Sequence, residues 1–202
     1  TDELRAFIRQ GWAPRSDVRP ALSPAAPYAA ARRAALSAAY SGDRLVIPAG
    51  GLKVRSNDTD YVFRPHTAFA YLTGLGADRE PDAVLVLEPT PTGHDAILYF
   101  RPLAARESDE FFDNARFGEF WVGPRPTLED VEAELALTAR HIDDFLDATT
   151  KDAAETLVRV VRDADRTLTV ELDQRRTAEG REQAATEEAD DELAHTISLA
   201  RM

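Results

Sequence analysis

Cysteine is absent from all 202 residues, which excludes disulfides, thiolate metal sites and a cysteine nucleophile. That absence fits a reducing compartment, and the cytoplasm is the expected location. Long apolar runs are missing as well. The longest strictly apolar stretches, such as Ala83–Leu87, reach five residues, against the roughly 20 that a membrane-spanning helix needs. Neither a membrane span nor a secretory signal is expected from them. Lysine is almost missing, with two among the 24 basic residues, which we read as codon bias. Familiar catalytic loops are lacking: no Walker loop, no G-x-S-x-G elbow and no G-x-G-x-x-G follows a strand. Gly74-Leu75-Gly76 is a lone G-x-G that a tight turn explains.

Acidity is abundant and unevenly placed. Residues 1–126 carry 15 Lys and Arg against 16 Asp and Glu, whereas residues 127–202 carry 9 against 20. The acidic half repels nucleic acid and anionic membrane, so neither is an expected partner. A solvated helical surface accounts for the charge.

The densest stretch is Ser56–Leu87, with closely spaced aromatics (Tyr61, Phe63, Phe69, Tyr71), Arg64 beside Pro65, and then an apolar run. It reads as a strand, a turn and a second, central strand. Around it, Thr1–Gln10 forms a short helix with Leu4, Phe7 and Ile8 on one face. Trp12–Pro27, with four prolines, is an extended arm that docks on its own domain or on another subunit. Tyr28–Tyr40 is an alanine-rich helix with Tyr28, Ala31, Ala35, Leu36 and Ala39 on its stripe. Strands are expected at 44–48, 69–73, 83–87 and 96–100, with a hairpin turn over Thr90–His94. Their closeness predicts a sheet with antiparallel neighbours. Thr127 and Asp130 cap a helix that faces inward through Leu128, Val131 and Leu135. A short helix over Ile142–Leu146 and a last strand over Thr156–Arg162 follow. Leu168, Val170 and Leu172 suit a strand or a helix start. Gly180 is a break, and Thr186 caps a final helix with Ala189, Leu193, Ile197 and Ala200 on one face. That helix carries no stop signal, so the chain is expected to be part of something longer. The expected divisions are an arm (1–27), an α/β domain (28–182) and a linker helix (183–202).

The search for chemistry is sparse in yield. His66, His94, His141 and His195 are scattered, and only His141, with Asp143 and Asp144, has neighbouring acids. One short helical turn presents those three awkwardly for a metal, and a capping histidine is the better reading. Asn57, Asp58 and Asp60 lack the glycine and the closing glutamate of a calcium loop. Residue types and spacings alone describe an acidic α/β domain without an active site.

Three segments carry a resemblance: Tyr61-x-Phe63-Arg64-x-x-x-x-Phe69-x-Tyr71-Leu72-Thr73-Gly74, then Pro81–Leu87, then Glu119-Phe120-Trp121-Val122-Gly123-x-Arg125. Together with Arg55–Thr59 before them and Ile197–Arg201 after them, they resemble the N-terminal domain of Xaa-Pro aminopeptidases (aminopeptidase P). The likeness runs over roughly residues 25–202. It implies a creatinase-type, ribonuclease-H-like α/β fold: a mixed sheet flanked by helices, with a C-terminal helix leading toward a catalytic domain. The implied full enzyme releases the residue before proline from a peptide. It uses two divalent metals, usually manganese, held in the catalytic domain, with no metal and no catalytic residue in this chain. Implied partners are that catalytic domain, further copies in a dimer or tetramer, and Xaa-Pro peptides. The resemblance makes Trp121, Arg64 and Arg125 the substrate-binding candidates, with Trp121 an apolar wall reaching toward a neighbouring subunit's active site. The alternatives are a Trp121 packed within its own domain and an Arg64 that is structural. Ala68 stands where many members have an acid. Alone, the chain is expected to be inactive as a peptidase. The competing reading is a stand-alone creatinase-like module that binds peptide or protein.

Overall fold

The run Arg44–Pro48 is buried at all five positions. A strand of that kind needs cover on both faces of its sheet, and helices supply it. The computed structural model of the chain describes residues 2–57, 59–178 and 183–202, with side chains from residue 186 in the last stretch. In chain order come helices α1 (Asp2–Ile8) and α2 (Ala26–Ala39), strand β1 (Arg44–Pro48), and the small hairpin of β2 (Val54–Ser56) and β3 (Thr59–Asp60). Helix α3 (Thr67–Thr73), strands β4 (Val84–Thr90) and β5 (Gly93–Phe100), and the four-residue helices α4 (Glu110–Asp113) and α5 (Glu119–Val122) follow. The remainder is helix α6 (Leu128–Leu135), strand β6 (Thr138–His141), helix α7 (Phe145–Thr150), strand β7 (Val158–Val160), and helices α8 (Arg166–Ala178) and α9 (Gln183–Ala200).

The main sheet has the order β6-β5-β4-β1-β7. β4 lies at its centre, antiparallel to β1 and β5, and the edge strands β6 and β7 join in parallel. This is the mixed, helix-flanked sheet that the sequence leads one to expect. Side chains alternate along each strand. Leu45, Ile47, Leu85, Leu87, Leu98 and Phe100 belong to one layer, with Leu36, Phe69, Leu72, Val131, Leu193 and Ile197 from the helices. Val46, Val86, Ile97, Tyr99 and Val160 belong to the other, with Phe145 and Leu172.

Several expectations need correction. Phe69–Thr73 is not a strand but most of α3. Ala68, Phe69, Leu72 and Thr73 are its buried residues, a helical spacing. His66 Nδ1 accepts the Ala68 N–H at its start, and Gly74 stops it at φ 80°. Helix α2 buries Ala26, Ala29, Arg33 and Leu36, leaving Tyr28 exposed. None of α1 is buried. Strand β6 was not anticipated, and Ile142–Leu146 is a 3-10 turn over Ile142–Asp144 running into α7. Leu168, Val170 and Leu172 are helical. Thr186 lies inside α9, and Ala200 is exposed. The segment read as a linker helix packs Leu193 and Ile197 into the core. Asp58 and Gly180 fall outside the described residues.

The α6 start is as expected. Thr127 Oγ1 accepts the Asp130 N–H at 3.1 Å, and Asp130 Oδ2 accepts the Thr127 N–H at 3.0 Å. Thr127→Ala should cost about 1 kcal/mol in urea unfolding. The Thr127 N–H holds the Asp130 carboxyl below its ordinary value. A depressed folded value means the contribution exists above the usual carboxylate range and is lost as pH falls through the folded value. The penalty of Asp130→Ala, which removes that carboxylate, should therefore shrink in acid.

Candidate functional site

After β5 the chain must return across the sheet to α6, and residues 101–126 make that crossing as two short turns of helix. Gly118 lets them stack. A Cβ there would lie 2.5 Å from Glu110 O and 2.6 Å from Asn114 O, so no other residue fits without moving backbone. Asn114 Oδ1 shapes the link by accepting the N–H groups of Arg116 and Phe117, each at 3.0 Å. Gly123, at φ 83°, ends α5.

This packing builds an aromatic cluster at the surface. Phe111 is buried and meets Phe112 edge-on at 4.8 Å between ring centroids. Phe120 and Trp121 pack edge-to-face at 5.6 Å, a favoured geometry for such rings. Trp121 remains 58% exposed. Its indole N–H donates to the Phe112 carbonyl, which fixes the ring while leaving apolar surface open. Trp12, from the arm, sits against Phe111 at 5.2 Å and Phe120 at 6.1 Å.

Beneath the cluster lies a chain of charges. Glu119 Oε1 accepts the Arg125 backbone N–H at 3.1 Å, and Oε2 takes the Arg15 guanidinium. The Arg125 side chain is 8% exposed and pairs with Glu80, 5% exposed, at 3.3 Å. It also donates to the Arg101 carbonyl. Burial pushes the Glu80 carboxyl up and the Arg125 guanidinium down, despite their mutual attraction. Desolvation is the largest cause at both groups. The Asp78–Asp82 loop shares that character. Asp78, Glu80 and Asp82 all have positive φ, at 61°, 49° and 61°, a backbone that costs non-glycine residues on the order of 1 kcal/mol or more each. Asp82 pairs with Arg116 at 3.0 Å, and burial pushes its carboxyl up. The Phe117 ring then sees the guanidinium carbons of Arg101, Arg116 and Arg125 at 5.2 to 5.5 Å.

Arg125 and Trp121 thus share one turn, joined through Glu119. Arg64 is exposed after the buried Phe63 and makes no ion pair or hydrogen bond with another described residue. Nothing joins it to the other two. A cleft of about 1350 Å³ lies under the arm and is lined by Trp12, Arg15, Arg79, Glu119 and Arg125, with neither Trp121 nor Arg64 among its walls. His66, His94 and His141 hold local structure. His94 bridges Ser37 and Asp43, and His141 Nδ1 accepts the Asp143 N–H. Ala68 lies on the buried face of α3. Among the described residues no three His, Cys, Asp or Glu side chains converge as a metal site, so the metal pair implied by the resemblance has no donor set there. Sequence reading missed Arg15, Glu80 and Glu119 as parts of the site. Their partners are 104, 45 and 6 residues away, and only the Glu119 pair is close enough to leave a local signal.

The fold and the site define an α/β domain: a helix-covered mixed sheet whose surface turn presents an open indole. The family described as aminopeptidase P, N-terminal domain, matches residues 29–160. Xaa-Pro aminopeptidase 2 of Streptomyces coelicolor is 44% identical over 182 residues, covering 88% of this chain and 37% of that protein. Xaa-Pro aminopeptidase 1 of the same organism is 40% identical over 204 residues, covering 100% of this chain and 38% of that protein. Among solved structures, Pseudomonas aeruginosa aminopeptidase PepP has TM-score 0.59 at 24% identity, over 77% of this chain and 33% of that one. Aminopeptidase P from E. coli with the inhibitor Pro-Leu has TM-score 0.55 at 22% identity, over 75% and 33%. These two likenesses bear on the fold alone. The chain belongs to the aminopeptidase P N-terminal domain family. It spans a little over a third of the length of the curated relatives it matches.

Proposed function

We propose that this chain is the noncatalytic N-terminal part of a Xaa-Pro aminopeptidase, and that it walls the peptide pocket of a metal-bearing catalytic domain. The observation that carries the reading is Trp121, held at the surface by its indole hydrogen bond with more than half of its area open. An apolar wall of that kind suits the ring of a proline and the side chain before it. The open surfaces of Phe7, Phe120 and Val122 favour further burial in a homo-oligomer, in which the indole of one copy reaches its neighbour's pocket. Arg64, exposed and unpaired among the described residues, is free to meet the peptide or the catalytic domain. Arg125 serves the pocket by holding the Trp121 turn. The two divalent metals, manganese in this reading, belong to residues beyond this chain. They supply the activated water, and no step of the chemistry passes through the described side chains. A cysteine-free composition favours the cytoplasm.

With manganese and an Xaa-Pro peptide, turnover is expected from the full-length protein and not from the 202-residue chain. Release of the first residue by the chain alone, at a comparable rate, would refute the division of labour.

A further inference from the structure

We infer that the N-terminal arm is a clamp on the pocket wall, in which Arg15 and Trp12 are positioning residues that set where the Trp121 indole stands. The arm is stitched along residues 101–134 rather than into the sheet. Arg9 pairs with Asp109 at 3.2 Å. Arg106 donates to Ala13 O. Arg15 donates to Ala104 O at 2.8 Å. Arg19 reaches Asp130 at 3.2 Å, and Ser23 N donates to Glu134 O at 2.8 Å. Four prolines between residues 12 and 27 lower the entropy lost on holding it extended.

Two of its contacts fall on the residues just before Trp121. Arg15 grips Glu119 and Trp12 packs edge-on against Phe120. That matters because α5 has only four residues. A helix so short has no stability of its own and takes its position from its neighbours. Glu119 is the joint: one oxygen is held by the arm and the other by the Arg125 N–H at the far end of the turn. Its side chain is 9% exposed, so the pair with Arg15 is shielded from solvent in a way that surface pairs are not. If the arm lets go, the turn keeps Arg125 and the indole's bond to Phe112 O but loses the Arg15 and Trp12 contacts, and the indole gains freedom. A wall that moves binds peptide less well, because the ordering is then charged to binding.

The inference rests on reading Trp121 as a pocket wall, and the test separates the two. The chain has two tryptophans, so Trp12→Phe leaves Trp121 as its only indole and keeps an aromatic ring at position 12. In that background Arg15→Ala should raise the acrylamide quenching constant of Trp121 by about twofold or more, with far-ultraviolet circular dichroism unchanged, and Arg15→Lys should restore part of the protection. In the full-length protein Arg15→Ala should raise KM for an Xaa-Pro peptide by about three- to tenfold, with kcat within about twofold. Unchanged quenching overturns the clamp. Raised quenching with unchanged KM keeps the clamp and overturns the pocket reading of Trp121. If Arg15→Ala fails to fold, Glu119→Gln, which keeps an acceptor for the Arg125 N–H, takes its place with the same expected outcomes.

Discussion

Trp121→Ala in the full-length protein is expected to lower kcat/KM for an Xaa-Pro peptide by about ten- to a hundredfold. The magnitude comes from the ring itself. Covering a large apolar side chain is worth about 1.5–3 kcal/mol, and each 1.36 kcal/mol or so is a factor of ten in rate. More than half of the Trp121 surface is open for a peptide or a second subunit to cover. The loss should fall on KM if the wall only holds the peptide, and on kcat as well if it also orients the scissile bond. Trp121→Phe is the informative companion. It keeps an aromatic face but loses the hydrogen bond to Phe112 O, so it should retain most of the activity if apolar contact is what matters. An alanine variant with unchanged kcat/KM and normal assembly would rule out the pocket role and leave the indole as a packing residue of its own domain.

What the sequence made legible and what it hid divide along the range of the interactions. The central strands β1, β4 and β5 were readable because both sheet faces are covered, so Leu45–Ile47 and Ala83–Leu87 are simply apolar. The cap at Thr127 was readable because its two hydrogen bonds close within four residues. Helix α3 was misread because Phe69 and Tyr71 favour strands, while its burial follows a helical spacing and its caps, His66 and Gly74, decide the matter locally. β6 has four residues and is defined mainly by its parallel pairing with β5. Buried charge was least visible. Arg44 opens an apolar strand, yet it is fully buried against Glu88 and Asp152, 44 and 108 residues away. In the candidate site, the aromatic richness of residues 111–121 was plain, and so was a docking role for the arm. That Arg15 reaches Glu119, and Arg125 reaches Glu80, depends on loops meeting in space that no spacing in the chain records.

The other large effect concerns stability. Asp190→Ala should remove about 3–5 kcal/mol, the cost typical of breaking a buried ion pair by deleting one partner. Asp190 is fully buried on α9 and accepts four hydrogen bonds: from Val160 N at 2.7 Å, from Arg162 at 2.9 Å, and from both terminal nitrogens of Arg176 at 3.2 and 3.0 Å. It is where α9, α8 and the edge strand β7 meet. Alanine would strand the Arg176 guanidinium, 1% exposed, with Asp173 and the Val158 carbonyl as its remaining partners, and would orphan the Val160 N–H. Pairing Arg176→Met with Asp190→Leu should recover much of the loss, because apolar replacement of both partners avoids the buried, uncompensated charge. Urea unfolding monitored by circular dichroism measures both variants. A loss under about 1 kcal/mol for the single variant would place this pair with ordinary surface pairs and show that α9 is held mainly by other contacts, Leu193 and Ile197 among them. The expected loss would instead make the charge cluster the anchor of α9. Tyr71 and Tyr40 then add support, since their hydroxyls reach Ala200 O and Glu192 O at 2.9 and 3.1 Å.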